Sequence, residues 1–107
     1  MKARKEDKKK WGIYVIYNKA TNKKYVGKSI NIRNRITSHI RQLTLKSKDE
    51  NRYLTHAWHK YGKNDFDYFV VEYVDAQCIE KLKERELFWQ IQFKATDRKY
   101  GYNLRLS

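Results

Sequence analysis

The sequence has no proline, one cysteine and four glycines in 107 residues. Without proline there is no polyproline stretch and no stiff linker. No repeat or low-complexity tract divides the chain either, so its length fits one domain. Cys78 stands alone and cannot form an internal disulfide, which fits a reducing interior and an expected cytoplasmic location. No apolar run is long enough for a transmembrane helix. The N-terminus is charged, but no apolar segment of a signal peptide follows it. A P-loop, a dinucleotide glycine fingerprint and a Ser–His–Asp order are all missing, so no small-molecule cofactor is expected. His56, His59 and Cys78 lack the paired spacing of a zinc site.

Acidic residues are also scarce: 12 stand against 25 lysines and arginines, a net charge of +13. A domain this basic usually meets a polyanion. An anionic membrane would call for a helix with one basic and one exposed apolar face, and no segment has both. Nucleic acid is the expected partner, with aromatics as possible stacking surfaces. Residues 1–10 read as a frayed basic tail that can touch phosphates, which places the folded domain at residues 11–107.

What is present alternates between two periods. Gly12 to Tyr17 and Lys24 to Lys28 read as strands joined by a polar turn, a β-hairpin. Tyr14 and Tyr25 then lie on neighbouring strands, close enough to share one site. Gly27 is expected to leave bare backbone that a ligand can approach. Ile32, Ile36, Ile40 and Leu43 mark a helix ending near Leu45, capped by Ser29 or Asn31. Leu54, Ala57, Trp58 and Tyr61 mark a second helix that stops at Gly62. Phe66 to Val74 is apolar enough on both faces to be the central strand. A last helix is expected from about Ala76 to Phe93, then a short extended piece from Tyr100 to Leu106. The expected fold is α/β of the α+β kind: a small three-stranded antiparallel sheet flanked by helices, with the site on one sheet face.

Two helices carry chemistry. Ile79, Leu82, Glu86, Trp89 and Phe93 step by helical spacing, a stripe that is apolar except for one carboxylate. Such a carboxylate is costly unless it is paired with a basic side chain or holds a cation. Glu80 and Glu84 fall off the stripe. Arg35 and His39 are four apart and share one helix face, where a guanidinium can neutralise a phosphate under attack and an imidazole can move a proton. A tyrosine can relay a proton from water if neighbouring cations and a bound metal lower its pKa.

Gly12-Ile13-Tyr14 followed by Tyr25-Val26-Gly27 resembles the signature of the GIY-YIG endonucleases, with valine in place of isoleucine. Arg35, His39, Glu86 and Asn103 match the family's later positions in order, so the resemblance covers residues 11–104. Leu54 to Phe66 resembles a segment of the phage and intron-encoded homing members. The resemblance implies a metal-dependent DNA endonuclease, with Mg²⁺ (or Mn²⁺) on Glu86 and double-stranded DNA as substrate. It implies Tyr14 as general base, Tyr25 as the group orienting nucleophile or phosphate, Arg35 at the developing charge and Asn103 holding the site together. Gly27, Lys28, Arg33 and Arg41 are the expected DNA contacts, and the domain is expected to act as a monomer. Homing members often carry a histidine before the second helix; here Lys48-Asp49-Glu50-Asn51 has none. The DNA-recognition region that such nucleases add after the catalytic domain is also missing from the sequence. A structure-specific repair nuclease of the same fold and a catalytically idle binding module are the alternatives.

Overall fold

The computed structural model describes residues 1–75 and 77–106. Strands β1 (Gly12–Asn18) and β2 (Lys24–Ser29) form the hairpin. Helix α1 (Ile32–Thr44) and helix α2 (Arg52–Tyr61) follow, then strand β3 (Phe66–Tyr73) and helix α3 (Ile79–Gln92). The expected α+β architecture, one three-stranded antiparallel sheet with helices around it, is the one observed. The expected start of α3 at Ala76 lies outside the described residues.

Local chemistry explains the boundaries. In the hairpin loop Asn18 accepts the Ala20 N–H on its side chain, and its carbonyl accepts the Asn22 N–H at 2.7 Å. Asn31, not Ser29, caps α1 by accepting the Asn34 N–H. Asn51 does the same for α2 through the Leu54 N–H, and α2 stops at Gly62, whose φ of +91° suits glycine.

The strand order is β2-β1-β3, so β1 is central and β3 is an edge. This corrects the reading of Phe66–Val74 as the centre. The apolar character of β3 on both faces has another cause: each face of the sheet carries its own core. Tyr14, Ile16, Phe66 and Tyr68 pack with α1 and α2 around Ile36, Leu43, Leu54 and Trp58. Ile13, Val15 and Val26 pack on the other face with Leu82 of α3, joined by Phe69, Val71 and Trp89. A two-sided apolar strand therefore signals cover on both faces rather than a central position.

Residues 1–10 are not a frayed tail. Lys5–Asp7 form a 3₁₀ turn, and Asp7 is only 1 % exposed. Its carboxylate accepts hydrogen bonds from the Tyr68 hydroxyl at 2.5 Å and the Tyr73 hydroxyl at 2.7 Å. Arg4 lies over the Tyr68 ring and bonds Asp67. The acid hidden among the basic residues anchors the segment to β3, which composition alone could not reveal.

Candidate active site

The β1–β2 register aligns Tyr14 with Gly27 and Ile16 with Tyr25. Tyr14 and Tyr25 are thus diagonal neighbours on the face covered by α1. Gly27 is buried directly beneath Tyr14: a Cβ there would lie 2.4 Å from the phenol oxygen. Its missing side chain makes room for the Tyr14 phenol.

Helix α1 brings His39 to the same place. Its ring is fully buried, edge-on to both tyrosines, with Nε2 2.7 Å from the Tyr14 hydroxyl. On the far side Nδ1 lies 2.6 Å from Oε2 of Glu50. A carboxylate can only accept, so the neutral imidazole donates from Nδ1 to Glu50 and accepts from Tyr14 at Nε2. Arg35, one turn earlier and half-buried, interacts with both phenols.

The electrostatics follow from burial. Tyr14 is held well above the usual phenol range, first by burial and then by the Tyr25 and Glu50 charges, with Arg35 opposing. Tyr25 is also raised by burial. Burial lowers His39, against the pull of Glu50, and keeps the ring neutral at pH 7. For Glu50, burial works against the charge, but the His39 hydrogen bond and charge outweigh it and the net shift is down. Burial outweighs the neighbouring Arg35 charge, so the Tyr14 phenol stays protonated and faces a neutral base.

On α3, Glu86 is 5 % exposed and Ile79 is 45 % exposed. The buried side of the helix runs through Leu82, Glu86 and Gln90. This stripe is rotated from the expected one, although it still includes Glu86. Glu80 and Glu84 are exposed, as their spacing implied. Oε1 of Glu86 accepts a hydrogen bond from Lys28 Nζ at 2.9 Å, so the pairing side chain is a lysine of β2. Alternation along β2 puts Lys28 with Val26 on the α3 side, opposite Tyr25. The site therefore wraps around the outer edge of β2 instead of lying on one sheet face. A groove of about 870 Å³ runs along that edge, lined by Tyr25, Lys28, Glu50, Glu86 and Asn103 among others.

A model of the GIY-YIG catalytic domain matches residues 10–102. The chain belongs to the GIY-YIG family. Two solved structures share its fold at 28 % identity: the catalytic domain of the homing endonuclease I-TevI, and an alanine variant described as the catalytic domain of intron endonuclease I-TevI. The first has a TM-score of 0.80 and covers 90 % of this chain and 99 % of that one. The second has a TM-score of 0.81 and covers 92 % and 96 %. Comparison with curated proteins gives no match. The chain is a GIY-YIG nuclease domain similar to a homing-endonuclease catalytic domain.

In this GIY-YIG domain Asn103 is a backbone surrogate. Its amide accepts the Val26 N–H at 2.8 Å and donates to the Val26 carbonyl at 2.9 Å, satisfying the outer edge of β2. Tyr100 and Tyr102 bond the backbone of Lys24 from the same side. Arg33 is partly exposed and Arg41 exposed on α1. His59 donates to the Leu43 carbonyl at 2.7 Å and ties α2 to the end of α1, while Cys78 is exposed beside Glu80. Among the described residues no three His, Cys, Asp or Glu side chains are grouped to hold a metal.

Sequence reasoning missed Glu50. A signal was available: no acidic residue occurs from Lys8 to Lys48, and Asp49-Glu50 then stands immediately before the Asn51 cap. It is also the segment where the histidine of homing members is missing.

Proposed function

We propose that this nuclease hydrolyses phosphodiester bonds of double-stranded DNA in a reaction that requires a divalent cation, Mg²⁺ before Mn²⁺. The observation that carries the reading is a buried carboxylate, Glu86, lining the same groove as Tyr25 and Glu50, the two residues that flank the buried Tyr14–His39 pair. DNA binding alone needs neither. DNA as the substrate is further supported by α1 and α2, which contain no acidic residue and flank the site with Arg33, Arg35 and Arg41.

The residues present fit a hard dication. Glu86 is a single oxygen donor set in a cleft, and its present cationic partner Lys28 is one-third exposed and can swing to a phosphate. Mg²⁺ commonly takes one or two carboxylates and completes its shell with water and substrate phosphate. Bound there, it would supply positive charge for the leaving oxygen. The chain's own groups do the rest. Lys28, Arg33 and Arg41 draw the backbone into the groove. Tyr25 orients the phosphate. Tyr14 takes a proton from the attacking water as its own proton passes to neutral His39. Arg35 neutralises charge on the five-coordinate phosphorus.

Nicking of a supercoiled plasmid with Mg²⁺, with Mn²⁺ and with chelator tests the reading. Cleavage that needs the cation is expected. Intact plasmid under every condition, with the protein folded and bound, would leave a DNA-binding module in its place.

A further inference from the structure

The Glu50 side chain is 2 % exposed, yet it lies in the loop between α1 and α2 rather than in the core. One oxygen accepts from His39 Nδ1 at 2.6 Å and the other from the Asn51 N–H at 2.9 Å. Capping does not explain it, because Asn51 caps α2. Solvent screening does not either, because a buried carboxylate is unfavourable unless what it bonds needs the charge. The group that benefits is the imidazole touching Tyr14.

Resting on the nuclease reading above, we propose that Glu50 is a positioning residue of a three-member relay, Tyr14–His39–Glu50. Its carboxylate holds His39 in the Nδ1–H tautomer and steadies the imidazolium formed during attack. The other tautomer would present Nε2–H to the Tyr14 oxygen, and the ring could take no proton from it. Four groups face the imidazole: Tyr14 from β1, Tyr25 from β2, Arg35 from its own helix and Glu50 from the loop. Of these only Glu50 favours the charged ring, while Arg35 disfavours it. The same logic places an aspartate behind the histidine of serine proteases.

The step balances. A water proton moves to the Tyr14 oxygen, the Tyr14 proton moves to His39 Nε2, and the new O–P bond forms. The P–O3′ bond breaks and its electron pair leaves with O3′, which takes a proton from solvent. His39 then returns its extra proton to solvent.

The test has two independent arms. In the free wild-type protein, nitrogen-15 NMR of His39 reads the tautomer without any reaction. Protonated Nδ1 and bare Nε2 are expected, with mixing or reversal in Glu50→Ala. A wild-type ring protonated on Nε2 would overturn the proposal whether or not the protein cuts DNA. In the second arm, single-turnover cleavage by Glu50→Gln should fall on the order of 10²-fold. DNA affinity should stay within about twofold, because Glu50 touches no expected phosphate contact. The acid limb of the rate profile should move to lower pH, since His39 loses the charge that raises its pKa. An unchanged rate and an unmoved limb would sink the proposal, and a merely structural Glu50 would leave the limb in place. Wild type inert with Mg²⁺ would instead overturn the nuclease reading, leaving the tautomer arm to decide on Glu50.

Discussion

Gly27 and Tyr14 occupy one volume: the space where a side chain would stand on β2 is filled by the phenol of β1. Gly27→Ala should therefore act on catalysis through Tyr14. The added methyl would lie 2.4–2.9 Å from the hydroxyl oxygen and two ring carbons of Tyr14, a closeness that forces the ring to move. Overpacking of this kind costs roughly 1–3 kcal/mol. Thermal unfolding should register that loss, and nicking should fall further than the stability change accounts for, because the hydroxyl leaves His39. Wild-type activity in Gly27→Ala would mean that Tyr14 placement is not limiting.

Glu86→Gln should fold, bind DNA at least as tightly as wild type and cut nothing with Mg²⁺. The amide keeps the shape but removes the charge that a hard dication requires. Lys28 keeps access to solvent, so the lost ion pair should change stability by less than about 1 kcal/mol. Glu84→Gln, on the exposed side of α3, is the control and should cut normally. The comparison is made at equal DNA occupancy, and nicking by Glu86→Gln at the wild-type rate would refute the metal site.

Arg35→Ala should damage turnover far more than affinity. One cation among 25 contributes little to counterion release, whereas a donor aimed at developing charge can be worth about 10²–10³ in rate. Arg35 also sits against Tyr14 and Tyr25, so its loss should raise both phenols further and slow the proton relay. A tenfold loss of affinity with intact single-turnover cleavage would reassign it to binding.

Stability should fall at alkaline pH through the Asp7 contact. Tyr68 is pushed up to about 12, by burial and then by its bond to Asp7; Tyr73 reaches about 12 chiefly through its own bond to Asp7. Both are ordinary phenols near pH 10 once unfolded. A folded pKa above the unfolded one gives stability that is complete below pH 10 and is lost as pH climbs toward 12. Buried Tyr68 sets the scale, at most about 3 kcal/mol for a two-unit gap. Tyr73 is 55 % exposed and adds less. Urea midpoints at pH 9, 10 and 11 should decline in wild type and more shallowly in Asp7→Asn. Parallel slopes would show that the contact does not carry the effect.

The hairpin, the α1 stripe and the end of α2 were legible because each rests on neighbours in sequence: a polar turn, a helical repeat, a glycine after an apolar run. Family order placed Arg35, His39, Glu86 and Asn103 before any geometry was known. The rest depended on contacts distant in sequence. Nothing local tells an edge strand from a central one when helices cover both faces, so β3 was misplaced. Asp7 looked like tail because its partners, Tyr68 and Tyr73, lie some sixty residues away. Glu50 was overlooked because its meaning lies in His39, and the rotation of α3 was hidden because Ile79 continues the apolar spacing although it is exposed.

The peptide that lies along β2 has a consequence outside catalysis. A bare strand edge is a template for another chain, and this one belongs to a Tyr- and Val-bearing strand. Tyr100, Tyr102 and the Asn103 amide cover it at Lys24 and Val26 without building a fourth strand. The cover doubles as protection against self-association. A chain shortened to Lys99 would expose those backbone groups, and its first symptom would be loss of solubility, before any question of cutting DNA arose.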